Sequence, residues 1–312
     1  MPIALGSAAR QNAVAGQSLK TALEGSLAIP LDDTALVNVD FHLHTTESDG
    51  KLSPAELARA VAAAGLDRFA VADHDTLAVY ERHTAAFASM RARMVTGVEV
   101  STNTGEREVH ILGYGVPPDA PSLHEILCDR TAVRRGRAER IVELLRKAGV
   151  PITMDDVGRQ AGNGMIGRPH IARALVDVKA ARDISDAFDR YLGSGCAAYV
   201  PSSATTPAQA IRAINDSGGV SVLAHPTRNN AEELLDDLVR AGLMGIEAYS
   251  PSHTEHDTER LRILARRVGL VMSAGTDFHA PTEANPRPGV DVPAEDLAGF
   301  LKLIDAAPSR QR

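Results

Sequence analysis

"DFHLHTTESDG", residues 40–50, sets His42 and His44 one residue apart, with Asp49 five residues beyond the second histidine and Gly50 behind it. The run that leads into it, "VNVDFHLH" (37–44), is apolar up to its polar end and has about the length of a buried strand. Residues i and i+2 of a strand share a face, so His42 and His44 project together. A lone pair of this kind is more often structural than metal-binding. Whether it belongs to a site depends on what the other strands bring beside it.

Six further runs have the same form: "RFAVADHD" (68–75), "MVTGVEVS" (94–101), "REVHILGYG" (107–115), "VSVLAH" (220–225), "GIEAYS" (245–250) and "LVMSAGTDFH" (270–279). Helix-like segments follow most of them. Ser53, Pro54 and Glu56 spell a capping box with proline at the first helical position, and Thr206, Pro207 and Gln209 repeat it. Strand followed by capped helix, many times over, predicts an α/β protein built on a parallel sheet or barrel. Between "HILGYG" and "VSVLAH" the rhythm breaks, and residues 125–150, 168–178 and 185–192 read mainly as helix. The expected organisation is an N-terminal extension (1–35), a barrel assembled from 36–115 and 216–312, and a helical insertion (116–215) beside its mouth.

Composition narrows the function. At 312 residues with 44% hydrophobic and 23% charged side chains, the chain can bury a core. A net charge of −7 argues against coating long duplex nucleic acid, which needs many phosphate contacts, though a local basic pocket remains compatible. Cys128 and Cys196 are the two cysteines and form no C-x-x-C pair, so neither a disulfide framework nor a zinc knuckle is expected. With no apolar run long enough for a membrane span and no secretory pattern at the start, a cytoplasmic protein is expected. Oligomeric state is left open.

The polar residues that end the strands carry the chemistry. His42 and His44 close strand one, His74 strand two, Glu99 strand three, His225 strand five, and Asp277 and His279 strand seven; His110 lies within strand four and Asp49 in the loop after strand one. In a parallel barrel these strand ends face one mouth. Imidazole with carboxylate suits Mn, Fe or Zn better than Mg or Ca. Nine candidate ligands exceed the needs of one ion, and two or three ions bridged by a carboxylate, with Glu99 as the natural bridge, fit the number. Asp73 and Asp75 flank His74 and are expected to orient ligand imidazoles.

"FHLHTTESDG", "VADHDT", "GVEVS", "VHILGYG", "LAHPTR" and "GTDFHAP" appear in the order of the motifs of the PHP (polymerase and histidinol phosphatase) metallohydrolases, which the chain resembles from residue 37 to about 285. The branch it looks most like is that of bacterial nucleoside 3',5'-bisphosphate phosphatases, relatives of which trim RNA from its 5' end; the "GRPHIARAL" segment and the insertion belong to that likeness. The resemblance implies a distorted (β/α)7 TIM-like barrel with a trinuclear divalent-metal site, manganese first and iron or zinc as alternatives. By motif match, His42, His44, Glu99 and Asp277 would hold one ion, Glu99, His110 and His225 a second, and Asp49, His74 and His279 a third.

A phosphomonoester dianion repels hydroxide, so such a site must neutralise the phosphoryl oxygens and supply a nucleophile at neutral pH; a metal-bridging hydroxide does this, with Glu99, Asp277 and His225 central to it. No G-x-S-x-G or similar nucleophile motif is seen. Arg168 and His170 in "GRPH" and Arg228 in "HPTR" are the expected clamp for a second phosphate. The basic run "AVRRGRAER" (132–140) is either a guide for short RNA or a solvated helix face. The expected reaction is removal of the 3'-phosphate of a nucleoside 3',5'-bisphosphate, with a small nucleotide or short RNA as partner. The alternatives are 5'-3' exoribonuclease action on short 5'-phosphorylated RNA, a histidinol-phosphate phosphatase, and a non-catalytic metal-binding module.

Overall fold

The apolar runs become the strands of one eight-stranded sheet. In the computed structural model, residues 35–105, 107–127, 130–162, 165–201 and 205–308 are described. Nearly all of the expected N-terminal extension, and Cys128, lie outside the described residues. The strands are β1 (Leu36–Leu43), β2 (Arg68–Val71), β3 (Arg93–Asn103), β4 (Glu108–Tyr114), β5 (Val220–Leu223), β6 (Gly245–Tyr249), β7 (Val271–Ala274) and β8 (Val290–Pro293). Their order is β7-β6-β5-β4-β3-β2-β1-β8. The strip curls into a nearly closed barrel because the segment after β7 reaches β1: the His44 N–H donates to the Phe278 carbonyl (3.0 Å) and the Phe278 N–H to the His42 carbonyl (3.1 Å).

Two features depart from a purely parallel barrel. Strand β4 runs antiparallel to both β3 and β5. Only residues 104–107 separate β3 from β4, too few for the crossover that a parallel pair requires, so the two form a hairpin. The second departure is β8, which pairs antiparallel with Leu36–Val39 of β1. "VDVP" is short and ends in proline, and it sits at a sheet edge, where a four-residue run gives little periodicity to read.

The capping boxes form where the sequence places them. Ser53 starts α1 (Pro54–Ala64), with its hydroxyl accepting from the Glu56 N–H while the Glu56 carboxylate accepts from the Ser53 N–H. After α2 (Ala78–Arg82) and α3 (Pro121–Leu127) come α4 (Arg130–Lys147), α5 (Met154–Ala161), α6 (Arg168–Asp177) and α7 (Ile184–Ala187). The chain then returns to the sheet through α8 (Pro207–Asp216), which Thr206 caps in the same way, and continues with α9 (Leu235–Arg240), α10 (Glu255–Val268) and α11 (Ala294–Ala306).

Three groups of buried apolar side chains hold these elements. Leu57 and Val61 of α1, Ile211 and Ile214 of α8, and Leu261 of α10 pack with strand residues such as Val98 and Ile111. Phe41, Leu112, Tyr114 and Val222 pack with Leu297, Phe300 and Ile304 of α11. The third group, which includes Leu145, Ile152, Ile171, Leu175 and Leu192, draws only on residues 138–198. Within 116–215, Leu123 of α3 and Ile211 of α8 therefore join the sheet's packing, whereas α4, α5 and α6 pack chiefly among themselves. Each fully buried leucine there contributes ~1.5–3 kcal/mol through burial. No helix among the described residues is long and apolar enough to cross a membrane.

Candidate metal centre

All nine expected ligands converge on one end of the barrel, around Glu99. This residue lies on β3 and is fully buried. Its Oε2 lies 3.1 Å from His42 Nε2, 3.3 Å from His44 Nε2 and 3.2 Å from His74 Nδ1. Its Oε1 lies 2.7 Å from His110 Nδ1 and 3.0 Å from His225 Nε2. Beside this hub, His44 Nε2 is 3.2 Å from Asp277 Oδ1, and His279 Nε2 is 3.1 Å from Asp49 Oδ1.

The ligand atoms sort into three overlapping groups with metal-binding spacing: His42, His44, Glu99 and Asp277; His44, Asp49, His74 and His279; and His74, Glu99 and His110. The first matches the expected set. The second adds His44 to the expected set, and the third has His74 where His225 was expected, although His225 also abuts Glu99. His42 Nε2, both ring nitrogens of His44, His74 Nδ1, Glu99 Oε2 and His110 Nε2 are buried without a hydrogen-bond partner. Unpartnered buried polar atoms cost free energy, and His42 Nε2, His44 Nε2, His74 Nδ1 and Glu99 Oε2 lie together at this hub, whereas His110 Nε2 points toward Glu108. A donor set of neutral imidazoles and ionised carboxylates that surrounds cations removes that cost, so the residues fit divalent ions.

Backbone conformation places several of these side chains. Strands β2, β5 and β7 end short of His74, His225, Asp277 and His279, so these residues lie in loops rather than closing their strands. Asp75, His225 and Asp277 have φ of 54°, 28° and 53°, in the left-handed region that a strand cannot use. Asp277 and His279 accordingly do not share a strand face, and they enter different ligand groups. Such conformations are unfavourable for non-glycine residues and are kept where surrounding structure fixes them.

Charge and burial compete throughout the site. Burial alone would push Glu99 toward neutrality, but His74, His42 and His110 hold its carboxyl well below the ordinary range. Asp277 is likewise held low against burial by His279 and His42. Burial drives His74 down to about 3, only partly opposed by Glu99 and Asp49. His279 resists burial and is raised to about 10 by Asp49 and Asp277. Ionised carboxylates thus persist in a buried space, ready for cations.

Carboxylates outside the nine hold the ligands in place, and the sequence reading missed the most direct of them. Glu247 of β6 lies with Oε1 2.9 Å from His42 Nδ1, while its Oε2 accepts the His225 N–H at 2.8 Å. Asp40 accepts from the backbone N–H of His42, Thr276 and Gly289, binding β1 to the loop after β7. Asp73, expected to orient an imidazole, instead accepts from Thr45 and Ser48 and shapes the turn that delivers Asp49. Asp75 accepts from the Ser101 N–H and from Arg134 of the insertion.

A cavity of about 610 Å³ opens over the centre. Its wall includes Arg107, Arg134, Arg137, Arg168 and Arg228, with Phe188 and Tyr199. Arg168 pairs with Glu108 and lies over the Phe188 ring, 5.5 Å from its centroid. Arg228 pairs with Asp277 at 2.6 Å. His170 does not line the cavity. It stands third in α6, where its Nδ1 turns back to accept the Gly167 N–H at 2.9 Å, so the helix start engages one nitrogen of the imidazole expected to hold phosphate. Arg134 and Arg137 were not singled out individually from the run 132–140, although their i, i+3 spacing on one helix face was a usable signal. Arg135 and Arg140 of the same run pair outward with Glu139 and Glu143.

Comparison with known proteins agrees with this geometry. Residues 40–152 match the family model described as PHP domain. The chain is 37% identical, over 86% of its length and 95% of the relative, to a 3',5'-nucleoside bisphosphate phosphatase of Chromobacterium violaceum. It is 35% identical, over 78% of its length and 90% of the relative, to a 5'-3' exoribonuclease of Haemophilus influenzae. Among solved structures it is similar to an amidohydrolase from Chromobacterium violaceum with bound sulfate and no metal (TM-score 0.76, 35% identity, 84% of this chain and 96% of that one). It is also similar to a candidate metal-dependent phosphoesterase from Bifidobacterium adolescentis (TM-score 0.75, 31% identity, 85% and 96%). The chain belongs to the PHP family.

Proposed function

We propose that the chain is a metal-dependent phosphoesterase that removes the 3'-phosphate of nucleoside 3',5'-bisphosphates. The observation that carries this reading is the buried Glu99 carboxylate met by five imidazoles, with unpartnered ligand atoms facing one space. Three divalent ions, manganese first and iron or zinc as alternatives, are proposed to be held by His42, His44, Asp49, His74, Glu99, His110, His225, Asp277 and His279. When bound, such ions neutralise phosphoryl oxygens and make a water acidic enough to serve as nucleophile at neutral pH. Glu99 would be shared between ions, with Asp49 and Asp277 adding the negative charge that would keep cations there.

The arginines supply what a second phosphate needs. Arg134, Arg137 and Arg168 reach the cavity from the insertion, and guanidinium groups bind phosphate with paired hydrogen bonds. Arg228, paired with Asp277, lies where it can share the phosphate at the metals. A cavity of this volume suits a single nucleotide. Exoribonuclease action on short 5'-phosphorylated RNA is the second reading, favoured by Phe188 and Tyr199 in the wall, aromatic rings on which a base can stack. A cytoplasmic workplace is proposed with both.

The test is a steady-state panel with manganese: nucleoside 3',5'-bisphosphates, simple phosphomonoesters and 5'-phosphorylated oligoribonucleotides, with Glu99→Gln as control. Turnover of bisphosphates, lost in the control, is expected. Metal-replete wild type that hydrolyses none of them sinks the reading, and preference for oligoribonucleotides selects the second.

A further inference from the structure

We infer that Glu108 couples the metal centre to the arginines above it, as a positioning residue through which an anion held by Arg168 and Arg137 strengthens His110 as a metal ligand. The inference rests on the proposed function in taking the arginines as an anion's seat.

Glu108 opens β4 two residues before His110, so both side chains leave the same face of the strand. Its carboxylate is buried and divided. Oε2 pairs with Arg168, and Oε1 lies 3.7 Å from Arg137 Nη1 and 3.6 Å from His110 Nε2. His110 turns its other nitrogen, Nδ1, to Glu99 at 2.7 Å. An imidazole that gives Nδ1 to a cation keeps its proton on Nε2, and that proton then points toward Glu108. The 3.6 Å gap is within ion-pair range but too long for a hydrogen bond, and His110 Nε2 is buried without one. Arg168, fixed over Phe188, holds the carboxylate toward the insertion.

An anion in the cavity competes with Glu108 for Arg168 and Arg137. As the Arg168 hydrogen bond and the Arg137 ion pair pass to the anion, Glu108 is released toward His110 Nε2–H. A ligating histidine that donates its second N–H to a carboxylate is a better-oriented and more basic ligand. Anion binding therefore tightens metal binding at the His110 position, and by linkage metal binding tightens the anion.

The experiment titrates metal-free protein with Mn2+, following free Mn2+ by electron paramagnetic resonance, with and without saturating adenosine 5'-monophosphate, which carries the distal phosphate alone. Wild type is expected to bind its weakest Mn2+ about fivefold or more tightly with the nucleotide. In Glu108→Gln the ratio should fall to about one. The double variant Arg137→Gln/Arg168→Gln should bind Mn2+ without nucleotide about as tightly as nucleotide-saturated wild type, because neither arginine then holds the carboxylate away from His110. If circular dichroism shows Glu108→Gln unfolded, the double variant decides alone. No nucleotide effect in wild type, or an undiminished effect in folded Glu108→Gln, overturns the inference; the latter means that the anion acts by direct contact with the ions. Bisphosphate turnover measured in parallel separates the two readings. Turnover without coupling removes only this inference, and coupling without turnover removes only the phosphoesterase.

Discussion

Glu247 belongs to none of the three ligand groups, yet its two oxygens serve two of the nine candidate ligands. One faces the His42 ring and the other accepts the His225 N–H, so a carboxylate with two acceptors matches two donors. In a neutral His42 whose Nδ1 donates to Glu247, Nε2 carries no proton and faces Glu99 and Asp277 as a ligand atom. Glu247→Gln keeps the size and removes one acceptor, and its amide N–H meets either the His225 N–H or His42 Nδ1–H. Relief by moving the His42 proton to Nε2 spoils the ligand. The expected outcome is a folded protein with metal affinity reduced about 10–100-fold, measured as Mn2+ retained after dialysis. Wild-type retention would show that His42 is held by other means. The nine candidate ligands were legible because they lie in or just after the apolar runs that become strands, and those runs lead to one mouth. Glu247 lies mid-strand in "GIEAYS", and its function depends on a partner 205 residues away, which nothing local signals.

Elements meet closely where β7 leads into the loop that closes the barrel on β1. A Cβ added at Gly275 would lie 2.3 Å from His42 Cβ and 2.7 Å from Glu247 Oε1. Neither can retreat without moving β1 or breaking the Glu247 contact, so Gly275→Ala should lower stability by ~1–3 kcal/mol in denaturant melts and reduce metal retention together. A stability loss with full metal retention would show that β1 yields without disturbing His42. The seven long strand runs were readable from apolar length. Their ends were not, because Asp75, His225 and Asp277 leave the strand conformation through left-handed φ, which residue type does not announce in Asp or His. Asp296 in the first turn of α11 accepts from Arg262 Nε and Arg266 Nη2, each at 2.7 Å, and from Tyr249. Burial would raise its pKa, but these hydrogen bonds outweigh burial and hold it below the usual aspartate range. The folded state thus favours the ionised form. Its contribution is complete above the unfolded pKa of about 3.9 and is lost as pH falls through the lower folded value. Melting temperatures of wild type and Asp296→Asn should differ by a constant amount above about pH 5 and converge below about pH 4. A gap that stays constant into acid would mean that Asp296 is not the titrating group.

The whole molecule is organised by where its third apolar group lies. Residues 138–198 supply their own buried leucines and isoleucines, while polar contacts tie the insertion to the barrel: Arg134 to Asp75 and Ser101, Arg168 to Glu108, and Arg173 to the Asp49 carbonyl. The insertion was visible in sequence as a break in the strand rhythm. Its packing was not, because helix periodicity shows that a face is apolar without showing whether it meets the sheet or other helices. We propose that residues 116–215 include a separate cooperative unit, centred on α4, α5 and α6, that carries the cavity's arginines. Leu145 is fully buried in that unit. Leu145→Ala should cost ~2–5 kcal/mol locally. Amide exchange should accelerate in α4–α6 while β1, β3 and β6 keep their protection, because cooperative units open separately. The catalytic consequence follows from position: Arg134, Arg137 and Arg168 ride on the loosened unit, and the metal ligands do not. KM for a nucleoside 3',5'-bisphosphate should therefore rise several-fold more than KM for a simple phosphomonoester, with metal retention unchanged. Equal loss of protection in the strands would make barrel and insertion one unit, and equal changes in KM would remove the arginines from recognition of the second phosphate.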